Sequence, residues 1–296
     1  MTSAQGADSG IVFARDTLLP EGPVLMPDRS WLFTEMDRGT ICQLGPNAQP
    51  KRVVAETGRP SGMAVASDGS IWVAESRFPA LLRLTLDGAV TTVSTGPSDK
   101  PFLWPNDLCI GPDGAIYMTD SGCLVNQMDD LDDLGEFYDV PVDGRVVRVD
   151  PADGTCVVLD AGLRFANGIA FAPNGSALYV AETLTGNIYA YSESTFDRQL
   201  FANVMVKPPR EHGVVAGPDG MAFGADGRLY VACLVQGDIT VLEADGALHD
   251  RLAIDGNFPT NVAFGAPGSR QLLVTEGSRS QLLLLDVATD GAALFT

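Results

Sequence analysis

Residues 219–233, DGMAFGADGRLYVAC, contain two apolar runs on either side of a Gly-Ala-Asp-Gly turn. Apolar runs separated by an Asp-Gly turn predict a β-hairpin. The same pattern recurs along the chain as EGPVLMPDRSWLFTE (21–35), SGMAVASDGSIWVAE (61–75), NDLCIGPDGAIYMTD (106–120), NGIAFAPNGSALYVAE (167–182) and TNVAFGAPGSRQLLVTE (260–276). Six copies of the pattern predict six equivalent hairpins.

Weaker strand candidates with alternating apolar and polar residues follow the hairpins, for example GDITVLEADG and ALHDRLAI after residues 219–233. The copies begin 40 to 61 residues apart, which is room for four strands each. We therefore predict an all-β fold, a six-bladed β-propeller with four antiparallel strands per blade, as one domain over residues 1–296. We expect GIVFARDT (10–17) to close the ring against LLLLDVATDGAALFT (282–296) and so remove exposed sheet edges.

The composition argues against several classes of protein. Lys and Arg number 19 against 38 Asp and Glu, and the resulting net charge of −19 disfavours nucleic acid and anionic membranes as partners. The start MTSAQGADSG lacks the features of a secretory signal. The five cysteines are widely spaced without a CxxC motif, as in a protein with reduced thiols. We expect a cytoplasmic monomer or weak homodimer that acts on a small molecule.

Aligning the six hairpins places one residue at the start of each inner strand. This column is Glu21, Ser61, Asn106, Asn167, Asp219 and Thr260. Inner strands line the channel of a propeller, so we expect the column to form a ring at one mouth. Four members carry carboxylate or amide oxygens, which suit a hard divalent cation, and the lack of His and Cys argues against a typical zinc site. We predict a metal in the central channel, with coordination positions left for water or substrate.

The segments LPEGPV, WPNDL, ANGIAF and GPDGMAF, around Glu21, Asn106, Asn167 and Asp219, resemble those of the SMP-30/gluconolactonase/regucalcin-like family of six-bladed propellers. The resemblance covers nearly the whole chain. It implies that Glu21, Asn167 and Asp219 are the core ligands of a divalent metal, commonly Ca²⁺, with Zn²⁺, Mn²⁺, Mg²⁺ or Fe²⁺ as alternatives. It also implies that Asn106 is a fourth ligand or a catalytic contact to substrate.

The function expected from this resemblance is hydrolysis of a small lactone, which could be sugar-derived, to its hydroxy acid. A metal would polarise the lactone carbonyl, and Asp219 would assist the attacking water. Several sugar-lactone members carry Arg two residues before the Asn that matches Asn106, whereas this chain has Trp104 there. A flat apolar face at that position makes a less polar lactone a second candidate substrate.

Further candidates for substrate contacts come from the loops and strand ends expected near the mouth. These are Asp107, Asp120, Glu182, His212 and Arg77. The longest insertion, residues 121–144, is acidic and is a candidate lid over the channel.

Two other functions stay open on the sequence. Diisopropyl-fluorophosphatase-like enzymes share the metal ring, so an organophosphate or phosphotriester hydrolase is an alternative. A non-enzymatic, calcium-binding propeller is the other. The sequence contains no GxSxG, HExxH or P-loop motif, which disfavours serine hydrolases, zinc proteases and nucleotide-binding proteins.

Overall fold

The computed structural model describes residues 10–192 and 194–296, which form six four-stranded sheets. Blade 1 contains β2 Pro20–Leu25, β3 Trp31–Glu35, β4 Thr40–Leu44 and β5 Lys51–Glu56. Blade 2 contains β6 Pro60–Val65, β7 Ile71–Glu75, β8 Ala80–Leu84 and β9 Val90–Ser94. Blade 3 contains β10 Pro105–Ile110, β11 Ile116–Asp120, β12 Gly144–Val149 and β13 Cys156–Leu163.

The second half of the ring repeats this arrangement. Blade 4 contains β14 Ala166–Phe171, β15 Ala177–Glu182, β16 Asn187–Ser192 and β17 Arg198–Asn203. Blade 5 contains β18 Gly217–Phe223, β19 Leu229–Leu234, β20 Asp238–Leu242 and β21 Leu248–Ala253. Blade 6 contains β22 Pro259–Phe264, β23 Gln271–Glu276, β24 Gln281–Asp286 and β1 Ile11–Arg15. The predicted six-bladed β-propeller is confirmed.

The ring closes through strands from both ends of the described chain. β1 pairs antiparallel with β24, with Ile11 opposite Leu284 and Arg15 opposite Gln281. The predicted closure is therefore confirmed, and β1 is the outermost strand of blade 6. This pairing ties blade 6 to blade 1 through the covalent chain, so no gap is left in the ring.

Helices in the described part of the chain are short and lie in loops. They are α1 Asn126–Asp129 and three 3₁₀ helices, Met36–Arg38, Leu134–Asp139 and Pro209–His212. No helix among these residues is long and apolar enough to cross a lipid bilayer.

The core consists of apolar side chains packed between neighbouring blades. Leu32 and Ile41 of blade 1, for example, pack with Ile71 and Val73 of blade 2, all fully buried. Similar clusters lie at the other five junctions, including the one between blades 6 and 1. Each fully buried Leu or Ile stabilises the fold by about 1.5–3 kcal/mol, so each blade depends on both of its neighbours.

All five cysteines are free thiols. Burial raises the pKa of Cys42, Cys123 and Cys233 to about 12 and that of Cys156 to about 11. Because the thiolate is the reactive form, these side chains behave as small packing groups. This agrees with the expectation of reduced, structural thiols.

Each inner strand bulges where the predicted column begins. The register between first and second strands shifts between Glu21 and Val24 in blade 1, and equivalent shifts occur in the other five blades. A bulge bends a strand and re-aims its side chains. Hydroxyls bridge the blades at this level: Thr34 Oγ1 donates to the Ser61 carbonyl at 3.1 Å, and Thr119 Oγ1 to the Asn167 carbonyl at 2.7 Å. The spacing of the column is therefore set by hydrogen bonds between blades.

Candidate metal centre

The six column residues line one cavity at the mouth of the channel. Each of them is less than one tenth exposed. The structure thus brings together the four predicted oxygen donors, Glu21, Asn106, Asn167 and Asp219.

Hydroxyl groups orient the two amide side chains. Asn167 Nδ2 donates to Thr183 Oγ1 at 3.0 Å, and Thr183 Oγ1 donates its one hydrogen to the Pro218 carbonyl at 2.9 Å. Asn106 Nδ2 donates in the same way to Ser121 Oγ at 2.9 Å. The hydroxyls can only accept from the amides, so each amide nitrogen is held away from the ring. Asn167 Oδ1 is buried without a hydrogen-bond partner among the described residues.

Three buried carboxylates, two in the ring and one beneath it, repel one another. Burial, followed by repulsion from Asp107, raises the pKa of Glu21 to about 7. Burial also raises the pKa of Asp107 to about 6. Burial and the charges of Glu21 and Asp107 raise the pKa of Asp219 well above its usual value. In the absence of a cation, these carboxylates oppose one another's ionisation.

These donors fit a hard divalent cation. Such an ion takes carboxylate and amide oxygens, and its charge would offset the repulsion between Glu21 and Asp219. The unpartnered Oδ1 of Asn167 is the kind of buried acceptor that a ligand or ion must satisfy. A group of three or more His, Cys, Asp or Glu side chains placed to hold a metal does not occur within residues 10–192 and 194–296, because two of the four candidate ligands are amides.

Asp107 and Asn261 close the channel beneath the ring. They follow the column residues Asn106 and Thr260 in sequence, where the neighbouring inner strands have glycine. A Cβ atom at Gly62 would lie 2.1 Å from Asp107 Oδ1, and one at Gly220 would lie 2.0 Å from Asn261 Oδ1. Asn261 Nδ2 donates to Glu21 Oε2 at 2.9 Å and to Asp107 Oδ2 at 3.4 Å. Asp107 is therefore placed to orient Glu21 through Asn261.

A second ring of residues surrounds the cavity above the four oxygen donors. It is formed by the residues two positions before the column residues, and we call it the collar. Its cavity-lining members are Leu19, Arg59, Trp104, Phe165 and Phe258. Arg59 is the one charged member in this described set, and the others present apolar surface to whatever binds at the ring.

Arg59 and Trp104 form a stacked pair on neighbouring blades. The guanidinium carbon of Arg59 lies 5.3 Å from the centroid of the Trp104 ring, within cation–π range. Phe165 also packs edge-on with Trp104, and the two ring centroids are 5.2 Å apart. Trp104 thus lines the cavity above the ring, and the positive charge of Arg59 reaches the same place from blade 2.

The insertion between β11 and β12 forms part of the cavity wall. Its Met128 and Leu134 line the cavity, while Phe137 and Tyr138 are buried against collar residues and the loop before β18. Tyr138 Oη accepts from the Ala216 amide at 3.1 Å, which joins the insertion to that loop. The insertion therefore supplies apolar side chains to one wall of the cavity, and its role as a lid stays a prediction.

Asp120 and Glu182 do not line the cavity, and their expected substrate contacts need correction. Asp120 forms an ion pair with Arg145, both fully buried, and accepts from the Leu103 and Trp104 amides at 3.0 and 2.9 Å. Glu182 accepts from the Arg164 amide at 2.6 Å. Both carboxylates are already occupied by the loops that lead into the inner strands of their blades.

Arg77 and His212 are also placed away from the cavity lining. Arg77 is exposed on the loop after β7. His212 ends the 3₁₀ helix Pro209–His212, and its neighbours Val214 and Val215 face the cavity instead. Arg59 takes the position expected of Arg77, because the loop before β6, not the loop after β7, reaches the collar.

Apart from Trp104, the collar was missed by the sequence analysis, and so were the hydroxyl groups that orient the amides of the ring. The same hairpin alignment contains the collar two residues before each column position. The orienting hydroxyls of Ser121 and Thr183 carried no recognisable signal, because Ser and Thr are common near strand ends.

Fold and site together define a six-bladed propeller with a ring of oxygen donors under an apolar cavity at one mouth of its channel. The chain belongs to the SMP-30/Gluconolactonase/LRE-like region family, whose model matches residues 19–278.

Relatives and solved structures agree with this assignment. A gluconolactonase of Zymomonas mobilis is 29% identical over 87% of this chain and 76% of its own length. A pentonolactonase of Haloferax volcanii is 27% identical over 94% of both chains. The structure of the calcium-binding protein regucalcin from Agrobacterium tumefaciens superposes with a TM-score of 0.76 at 20% identity, covering 97% of this chain and 95% of that one.

Proposed function

We propose that this protein is a divalent-metal-dependent lactonase that hydrolyses a small lactone to its hydroxy acid. The observation that carries the proposal is the buried ring, in which two carboxylates and two oriented amides face one cavity. The lactonase names of the two relatives support the choice of reaction.

Glu21, Asn106, Asn167 and Asp219 would hold the cation, and this all-oxygen set favours Ca²⁺. When bound, such an ion supplies Lewis-acid polarisation of a carbonyl. Ser121 and Thr183 hold the amide nitrogens back, which leaves Asn167 Oδ1 without a partner. Asn106 Oδ1 accepts from Ser61 Oγ at 3.4 Å and keeps a second lone pair for the ion.

Asp219 is the proposed general base. Its carboxylate lines the cavity, whereas Asp107 lies beneath the ring. One carboxylate oxygen of Asp219 would take a proton from the attacking water as the water adds to the lactone carbonyl carbon. The bond between that carbon and the ring oxygen then breaks, and the proton passes to the ring oxygen, which becomes the hydroxyl of the product. The apolar collar and insertion would keep other water away from the reacting carbonyl.

The test is acid release from a panel of γ- and δ-lactones. Chelator-treated protein should be inactive and should recover with one of Ca²⁺, Mn²⁺, Zn²⁺, Mg²⁺ or Fe²⁺. Asp219→Asn should lower kcat by at least about 100-fold, within the usual contribution of a general base. Asp245→Asn, at an exposed turn, is the matched control.

Activity that survives both chelation and Asp219→Asn would contradict the proposal. If the protein hydrolyses phosphotriesters but not lactones, the organophosphatase alternative is favoured. Metal binding without either activity would favour the non-enzymatic propeller.

A further inference from the structure

We propose that the cavity selects a lactone with an apolar substituent that carries one hydrogen-bond acceptor group, and that Arg59 and Trp104 donate to this acceptor. The inference rests on the proposed lactonase function and names its substrate class. It differs from recognition of a polyhydroxylated sugar lactone.

The apolar part of the proposal follows from the walls above the ring. The surface there comes from the collar, the insertion and the adjoining loops, and its apolar residues are Leu19, Met36, Trp104, Met128, Leu134, Phe165, Val214, Val215, Leu234 and Phe258. A sugar lactone would bring several hydroxyls against this surface. Each buried hydroxyl left without a partner weakens binding by roughly tenfold. An alkyl or aryl substituent instead gains affinity from leaving water.

The acceptor part follows from two donors that lack partners. Arg59 Nε and Trp104 Nε1 are both buried, and neither has a hydrogen-bond partner among the described residues. Trp104 is 3% exposed and both residues line the cavity. Among the described residues that line the cavity above the ring and Thr183, Arg59 and Trp104 are the two whose side chains can donate hydrogen bonds. Buried donors of this kind are rarely left unpaired, so a ligand acceptor is expected beside them.

The charge of Arg59 is also available to a ligand. Its nearest carboxylate oxygen, Asp37 Oδ1, is 3.7 Å from Nη2, which is beyond hydrogen-bond length, and the Asp37 side chain is half exposed. The Arg59 side chain is only 14% exposed. The Arg59 amide donates to Glu75 Oε1 at 2.7 Å, which fixes the backbone from which the side chain reaches Trp104. The pair is thus held in place before substrate arrives.

The experiment compares three lactones with the metal-loaded protein. The first is δ-gluconolactone, the second is a γ-lactone with a plain pentyl chain, and the third is the same γ-lactone with a carboxylate at the end of the chain. A methyl ester of the third compound separates charge from acceptor chemistry. We expect kcat/KM to rise from the first lactone to the third.

Arg59→Gln should lower kcat/KM for the third lactone by about tenfold or more, mainly through KM, with much less change for the second. Trp104→Phe keeps an aromatic face but removes the N–H. It should lower kcat/KM selectively for the third lactone, by a smaller factor than Arg59→Gln does. Arg52→Gln makes the same change of charge at an exposed position of strand β5 and serves as the control. Circular dichroism and the melting temperature establish that each variant is folded.

Binding of the corresponding lactams, which resist hydrolysis, separates this inference from the proposed function. If no lactone is turned over but the carboxylate-bearing lactam binds the wild type about tenfold more tightly than Arg59→Gln, the lactonase proposal fails and the recognition by Arg59 stands. Preference for δ-gluconolactone, or an equal effect of Arg59→Gln on all three compounds, would overturn the inference.

Discussion

At the scale of single residues, the orientation of two amides decides what the ring can bind. An Asn side chain presents either a donor or an acceptor, and the opposite orientation would point N–H groups at the proposed cation. The Thr183 hydroxyl prevents this for Asn167, because it already donates to the Pro218 carbonyl and can only accept from the amide. The unpartnered Asn167 Oδ1 is the result.

Thr183→Val should therefore weaken metal binding. The substitution removes the acceptor for Asn167 Nδ2 while keeping the shape of the side chain, so the amide is free to rotate. We expect the Ca²⁺ dissociation constant, measured calorimetrically on chelator-treated protein, to rise by about 10–100-fold, as when the partner of a metal ligand is lost. Thr183→Ser keeps the hydroxyl and should bind Ca²⁺ like the wild type. An unchanged dissociation constant in folded Thr183→Val would contradict this orienting role.

The same residue scale explains why Asp107 is separate from the ligands. It lies one residue after Asn106, and the alternation of a strand would place it on the opposite face. The bulge at this position instead leaves it in the channel, bonded to Asn261. The sequence analysis identified Asp107 as a candidate, but only the neighbouring glycines show that there is space for it to cross the channel.

At the scale of secondary-structure elements, acidic residues at the ends of the second strands fasten the loops that lead into the inner strands. Each acid pairs in register with the first residue of its inner strand, and its carboxylate accepts from amides just before that residue. The backbone amides donate these hydrogen bonds to the carboxylates: Leu18 to Glu35, Arg59 to Glu75, Trp104 to Asp120, Arg164 to Glu182 and Phe258 to Glu276. These loops carry the collar, so the acids set its position without touching substrate.

Asp120→Asn should destabilise the protein strongly. The change leaves the Arg145 guanidinium buried and without its anion, at a cost of about 3–5 kcal/mol for the free energy of unfolding. Urea denaturation measures the difference. The control is Arg148→Gln, on strand β12 with Arg145. It breaks the partly exposed ion pair with Asp113 and should lower the free energy of unfolding by about 0–1 kcal/mol. Equal effects of the two substitutions would contradict the structural role of Asp120.

At the scale of the whole molecule, the segment after β24 crosses the rear of the propeller, opposite the ring of Glu21, Asn106, Asn167 and Asp219. The Ala225 amide donates to the Asp290 carbonyl at 2.8 Å, and Gly291 bridges to Gly224 of blade 5. Phe295 then packs edge-on against Phe171 of blade 4, with centroids 6.0 Å apart. The segment thus connects blade 6 with blades further round the ring, and it adds to the closure made by β1.

Phe295→Ala should lower stability because it removes this contact. Phe295 is partly buried and packs against the cluster between blades 2 and 3, so we expect a loss of about 1–3 kcal/mol, below the range for a fully buried Phe. Leu294→Ala is the control, since Leu294 is 80% exposed and should change stability by less than about 0.5 kcal/mol. Thermal unfolding compares the two variants. Equal melting temperatures would show that the rear segment contributes little.

Much of the architecture could be predicted because a propeller repeats its signals. A hairpin pattern that recurs six times indicates the number of blades, and its alignment identifies the ring of Glu21, Asn106, Asn167 and Asp219. Local patterns of apolar residues and turns are sufficient for this, since each blade is built from strands that are consecutive in the chain. The closure by β1 was predicted because it removes exposed sheet edges.

The surroundings of the ring were decided only by the tertiary structure. Arg59 meets Trp104 because their loops are brought together by neighbouring blades, although the residues are 45 positions apart in sequence. Asp120 and Glu182 lie opposite the first residues of their inner strands. Their carboxylates therefore accept hydrogen bonds from the backbone amides just before those residues and do not reach the cavity. The sequence by itself thus determined the fold and the oxygen donors, which depend on repeats within each blade. The packing of Arg59 against Trp104, and the gathering of the collar around one cavity, were decided by contacts between blades, which a pattern within one blade does not specify.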